Sequence, residues 1–160
     1  MRVAQCATPT SQVIKNMQIF ESHSESETEN IAYNIASKIK RGDIIALFGG
    51  LGAGKTAFTR GLARFFAPDS RVSSPTFALV NQYEHIFHFD MYRISGEEDL
   101  LSIGFFDYLA QNNIIIIEWF DKIQEFFDEH TVEIEIIKCA ENAGPGVPQN
   151  KREIKFKRII

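Results

Sequence analysis

Hydrophobic positions change period several times along the chain, and each change marks an element. From Ser24, the stretch SESETENIAYNIASKIK puts Ile31, Ile35 and Ile39 on one helical face, with Ala32 and Ala36 beside them and polar cap residues in front. Arg41-Gly42-Asp43 ends that helix, and the unbroken run Ile44 to Phe48 reads as a buried strand. A second helix is predicted from Lys55 to Phe66, stopped by Pro68. FALVNQYEHIFHFDMYRI divides into two strands with a turn around Tyr83 to His85, although no Asn-Gly or Asp-Gly pair marks it. GEEDLLSIGFFDYLA reads as an acidic helical stretch, with Glu97, Glu98 and Asp99 suited to a helix start. NIIIIEW then gives a second wholly apolar strand, followed by a helical pattern to Phe127. TVEIEIIKC and REIKFKRII alternate with period two and predict a closing antiparallel pair, joined by the Pro/Gly-rich ENAGPGVPQN. Residues 1–16 show no periodicity and read as a flexible N-terminal arm; 17–160 then form a single domain, with Met17 an alternative start.

Strands separated by helices imply an α/β layer fold with a mixed sheet, a parallel centre extended by antiparallel strands. With 160 residues, of which 44% are hydrophobic, the chain is long enough for one well-buried core and too short for two. No apolar run is long enough to cross a bilayer, and MRVAQCATPTSQ is too polar for a signal peptide, so no membrane role is expected and the compartment reads as cytoplasmic. Cys6 and Cys139 lie far apart without metal spacing and read as free thiols. A net charge of -4 excludes a domain that holds nucleic acid by neutralising phosphates unaided.

Chemistry enters at GGLGAGKT, directly behind the first apolar strand. Gly49, Gly54, Lys55 and Thr56 match G-x-x-x-x-G-K-[ST], with a strand before and a helix after. Such a loop curls with its N–H groups inward, where a Cβ would obstruct, and with the following helix start it cradles phosphate oxygens. Lys55 then reaches the β- and γ-phosphates and the Thr56 hydroxyl sits on a magnesium ion. The fold class is therefore a three-layer P-loop NTPase-like α/β fold. Hydrolysis needs a metal-linked carboxylate and a group that places water. Glu118 closes the strand Ile114 to Ile117 at the edge where α/β folds bind ligands. Asp90, closing HIFHFD, is the second candidate, and Thr76 in SSPTF offers a hydroxyl from a loop. His85 and His88 read as strand residues, since no metal-spaced partner accompanies them. The paired phenylalanines, such as Phe105-Phe106, read as core. Asn150-Lys151-Arg152-Glu153 only imitates the guanine-reading NKxD and is discounted in favour of ATP.

GGLGAGKTAFTRGL, SSPTFALVNQY, HFDMYRI, EEDLLSIGFFDYL and IIIIEW occur together in the order and spacing of the TsaE (YjeE) family of small P-loop ATPases, and over residues 20–158 the chain resembles that family. The resemblance implies a magnesium-dependent ATPase of low intrinsic activity. It also implies that ATP hydrolysis supports turnover of TsaB and TsaD-like partners, which install threonylcarbamoyl on adenosine 37 of tRNAs reading ANN codons, so tRNA is met only through the complex. Carried onto this chain, it assigns Gly50, Leu51, Gly52, Ala53, Gly54, Lys55 and Thr56 to the phosphate loop, Ala57 beside them to nucleotide binding, Thr56 and Glu118 to magnesium, and Thr76 to a switch-like loop. Asp90 falls near the γ-phosphate, Trp119 is the family's exposed EW tryptophan, and Glu25 and Arg152 flank base and ribose. Two positions depart from the family pattern: Gly50 replaces an Asp and Phe120 a Pro. Two other classes share the loop. A small-molecule or nucleoside kinase would transfer phosphate to an added acceptor, and a nucleotide-gated assembly module would tolerate loss of Glu118.

Overall fold

The structure, a computed structural model, describes residues 17–139 and 150–159. The expected arm over 1–16 and residues 141–149 of the Pro/Gly-rich connection lie outside them. Seven strands form one sheet: β1 (Met17–Ser22), β2 (Ile44–Phe48), β3 (Val80–Tyr83), β4 (Ile86–Asp90), β5 (Ile114–Glu118), β6 (Val132–Lys138) and β7 (Arg152–Arg158), in the order β1-β7-β6-β2-β5-β4-β3. β6, β2, β5 and β4 run parallel, while β1 and β7 on one flank and β3 on the other pair antiparallel. β1 is an addition to the expected elements, since its residues carry no buried-strand pattern and half of them stay exposed at the sheet edge.

Helices α1 (Glu25–Ala36) and α2 (Lys55–Phe66) cover one face of the sheet, where Ile45, Leu47, Ile116 and Ile134 meet Ala32, Ile35, Phe58 and Leu62. The short helices α3 (Glu97–Ser102) and α4 (Phe105–Leu109) cover the other, on Ala46, Phe87, Phe89, Ile115 and Ile117. This is the three-layer α/β arrangement of a P-loop NTPase-like fold. The apolar runs of β2 and β5 explain it: strands apolar on both faces need cover on both. α1 and α2 approach so closely that a Cβ at Gly61 would lie 2.2 Å from the Glu29 carbonyl oxygen, so glycine there is a packing requirement.

Three local expectations change. The first helix ends at Ala36 rather than at Lys40, because the backbone N–H of Lys40 is drawn to Asp43 Oδ2 at 2.8 Å. Asp43 is itself buried and is gripped by Arg158 of β7 (Nη2 to Oδ1, 2.9 Å) and by the Thr131 hydroxyl. Removing one partner of such a pair would leave a buried charge uncompensated. The acidic helical stretch breaks in two at Gly104, whose φ of +67° no helix accommodates. The helix expected up to Phe127 is a single 3-10 turn (Phe120–Lys122) followed by further turns, yet Phe120, Ile123 and Phe127 are buried all the same. Their spacing suits a helix, but successive i to i+3 turns bring the same side chains inward. Cys139 is disulfide-bonded and not a free thiol, and Cys6 lies outside the described residues.

Candidate functional site

The site grows from the carboxyl ends of three parallel strands. β2 delivers the chain into the glycine loop; Glu118 ends β5 beside Leu47 of β2 and opposite Asp90 of β4. Directly paired residues share a sheet face, so register alone sets both carboxylates against the N-terminus of α2. Gly49 leaves β2 with φ +149°, and a Cβ there would stand 2.7 Å from the Ile136 carbonyl oxygen of β6. The loop thus hugs the sheet before α2 begins. The Ala53 N–H closes a turn on Gly50 O at 3.1 Å, while the N–H groups of the first turn of α2 have no intrahelical acceptor. Together with the helix dipole they form an anion cradle.

A cleft of about 360 Å³ opens over this loop. Its walls contain Glu25, Leu51, Gly52, Ala53, Gly54, Lys55, Thr56, Ala57, Thr76, Asp90, Glu118, Trp119 and Arg152, which takes in the expected site residues except Gly49 and Gly50. Gly50 takes part through its backbone, as an acceptor for Lys55.

Lys55 is 4% exposed, and its ammonium is held by the carbonyls of Gly49 (2.7 Å) and Gly50 (2.9 Å). Nζ also stands 3.7 Å from the centre of the Trp119 ring. Burial lowers its pKa below the ordinary lysine value; the nearby carboxylates Glu118, Asp121 and Asp90 pull it back upward, and Lys138 adds to the lowering. Thr56 Oγ1 donates to Glu118 Oε1 at 2.9 Å. These are hard oxygen donors at the mouth of the anion cradle. Among the described residues no three His, Cys, Asp or Glu side chains cluster as a metal cage. A cation at Thr56 and Glu118 would complete its shell from water and phosphate oxygens, which is how magnesium binds, so the donor set fits that ion.

Asp90, 4% exposed, accepts from Thr76 Oγ1 (2.9 Å), Ser74 Oγ (3.4 Å) and the Tyr92 N–H (3.0 Å). The SSPTF loop is thereby latched by two hydroxyls to a strand end, with Phe77 at its tip 87% exposed. Arg152 holds the glycine loop from the far side, its Nε donating to Ala53 O at 2.8 Å. Glu25 lies on the rim, ion-paired with Arg60 of α2, which also binds Glu29 at 2.8 Å. Trp119, expected exposed, is half-buried between Lys55 and Tyr92 and takes φ +60°. That left-handed conformation turns the indole back over the cleft. Phe120, at the second departure from the family pattern, is fully buried, so it anchors the segment from below.

The sequence reading missed Arg60, Thr28 and Ser74, which line the cleft, and gave His88 no role although it touches Glu118. An arginine on an amphipathic helix looks like part of a solvated face, and no local pattern marks the others.

A family model described as threonylcarbamoyl adenosine biosynthesis protein TsaE matches residues 22–146. The TsaE protein of Rickettsia typhi is 38% identical over 119 residues, 71% of this chain and 82% of its own length. That of Bacillus subtilis is 31% identical over 137 residues, covering 83% and 80%. Among solved structures, Bacillus subtilis YdiB superposes with a TM-score of 0.68 at 28% identity, over 94% of this chain and 90% of that one.

Proposed function

The chain belongs to the TsaE family of tRNA threonylcarbamoyladenosine biosynthesis proteins, and from that premise we propose that it is a magnesium-dependent ATPase of low intrinsic rate that sustains turnover of the TsaB–TsaD complex in the cytoplasm. That complex would install threonylcarbamoyl on adenosine 37 of tRNAs reading ANN codons. The observation that carries the reading is the Thr56–Glu118 hydrogen bond of 2.9 Å at the mouth of the glycine loop, where hydroxyl and carboxylate arrive from different elements.

In this reading the loop amides and the start of α2 bind the phosphates, and Lys55 exchanges the carbonyls of Gly49 and Gly50 for β- and γ-phosphate oxygens. Thr56 and Glu118 hold the magnesium ion, which when bound supplies charge neutralisation of the phosphates. Asp90, oriented by Thr76 and Tyr92, would act as the acceptor for an attacking water. Leu51, Gly52, Ala53, Gly54 and Ala57 shape the phosphate end, and Glu25 and Arg152 flank base and ribose. The latched SSPTF loop and Trp119 lie where a partner would sense the γ-phosphate. With a net charge of -4, the protein meets tRNA through the complex.

The test is phosphate release from ATP and magnesium, by the protein alone and with the TsaB–TsaD pair. Slow release alone and a marked rise with the pair are expected. No release under either condition, or an undiminished rate in Glu118→Gln, would overturn the reading.

A further inference from the structure

His88 sits on β4 two residues before Asp90 and is fully buried. Its Nε2 lies 2.8 Å from Glu118 Oε1, the same oxygen that accepts from Thr56. Its other ring nitrogen, Nδ1, is buried with no hydrogen-bond partner among the described residues. The ring's aromatic neighbour is Tyr83, 6.2 Å away between centroids. An apolar side chain would fill this space without leaving Nδ1 unmatched, and an unmatched buried polar atom costs stability. The imidazole therefore carries a local cost, and its one polar contact among the described residues is Glu118.

We propose that His88 is the positioning residue of the Glu118 carboxylate. An ionised carboxylate only accepts hydrogen bonds, so the ring donates through Nε2, and Nδ1 is left as a lone pair, the less costly of the two orphans. Two donors then converge on Oε1, Thr56 from α2 and His88 from β4, and no described residue hydrogen-bonds Oε2. Thr56 comes from the nucleotide loop, and its hydroxyl has to serve the cation as well. His88 comes from the rigid strand adjoining β5 and holds the carboxylate plane irrespective of what Thr56 does. This rests on the reading of Glu118 as a magnesium ligand: partners that orient a ligating carboxylate commonly contribute about 10- to 100-fold to metal affinity.

The experiment pairs two readouts. The ring tautomer of His88 is determined by nitrogen-15 NMR on the nucleotide-free protein, and ATP affinity is measured by calorimetry with and without magnesium in the unsubstituted protein, His88→Leu and His88→Gln. We expect the Nε2–H tautomer. His88→Leu should lose about tenfold of the enhancement that magnesium gives to ATP affinity, with magnesium-free affinity unchanged. His88→Gln, whose amide nitrogen can replace Nε2 as donor, should recover most of it. An Nδ1–H tautomer, or equal enhancement in the Leu variant and the unsubstituted protein, would reduce His88 to a core residue and overturn the proposal. If His88→Leu fails to fold, the Gln variant decides: enhancement kept supports the assignment, enhancement lost overturns it. Absence of any magnesium enhancement in the unsubstituted protein would instead overturn the nucleotide-site reading, and the tautomer would still judge the contact with Glu118.

Discussion

The two ends of the cleft are built on opposite plans. At the strand end, Lys55, Asp90 and Glu118 are each less than 5% exposed, and every one is already engaged: lysine with loop carbonyls, Asp90 with two hydroxyls, Glu118 with a hydroxyl and an imidazole. At the rim, Glu25 is 68% exposed in its side chain and its partner Arg60 34%. Charges held out of water interact strongly and are costly to leave alone, whereas exposed pairs are screened and contribute little. The strand end is therefore expected to be intolerant of substitution and the rim forgiving. The buried groups also form a resting network in which Lys55 and Thr56 spend their hydrogen bonds on the protein, ready to exchange them for a ligand.

The largest expected effect is on turnover. Glu118→Gln keeps the size of the side chain and its acceptor for Thr56 and His88 but loses the charge, so phosphate release should fall about a hundredfold while the ATP dissociation constant moves only a few-fold. A turnover loss matched by an equal loss of ATP affinity would show that Glu118 acts in binding. Lys55→Ala comes next. It leaves phosphate charge uncompensated, which by analogy with hydrogen bonds to charged groups should cost at least ~2 kcal/mol, about thirtyfold in ATP affinity. Unchanged affinity in calorimetry would remove the lysine from the site.

Trp119→Ala should act in between. The indole contributes contact area over the cleft and a face for the Lys55 ammonium, so stimulation by TsaB–TsaD should drop severalfold while ATP affinity stays within a few-fold. Full stimulation in that variant would sever Trp119 from the partner. Glu25→Ala should have the smallest effect: breaking its exposed pair with Arg60 should change ATP affinity by less than about 1 kcal/mol. A larger loss would mean that the rim, too, is built for binding.

Acid–base behaviour sharpens the same contrast. Because burial lowers the Lys55 pKa, the ammonium is lost at lower pH than from a solvent-exposed lysine. ATP affinity should thus weaken on the alkaline side before ordinary lysines titrate. Stability of the nucleotide-free protein should move the other way. Between the lowered folded pKa and the unfolded value the unfolded chain binds more protons, so this residue's penalty on folding fades as pH rises. A Lys55→Met control, which cannot titrate, should show neither trend in calorimetry and thermal melts across that range.

The glycine loop, its strand and its helix were legible in the sequence because each depends on neighbours in the chain: the apolar run of β2, the glycines between, and Lys55-Thr56 at a helix start. Glu118 and Asp90 were legible for a related reason, since a carboxylate closing an apolar strand falls at the ligand edge of a parallel sheet. Tertiary structure alone decided what those groups touch. The register of β4 against β5 puts Asp90 beside Glu118 and slides His88 under the carboxylate. The close crossing of α1 and α2 at Gly61 brings Arg60 to Glu25 and Glu29. The helix forecast to Phe127 failed because apolar spacing records which side chains go inward and is silent on the backbone route, which Trp119 diverts with φ +60°. Periodicity is local information. The pairing of strands and helices that assembles a site is settled by burial across the whole sheet, where residues far apart in sequence compete for the same few ångströms.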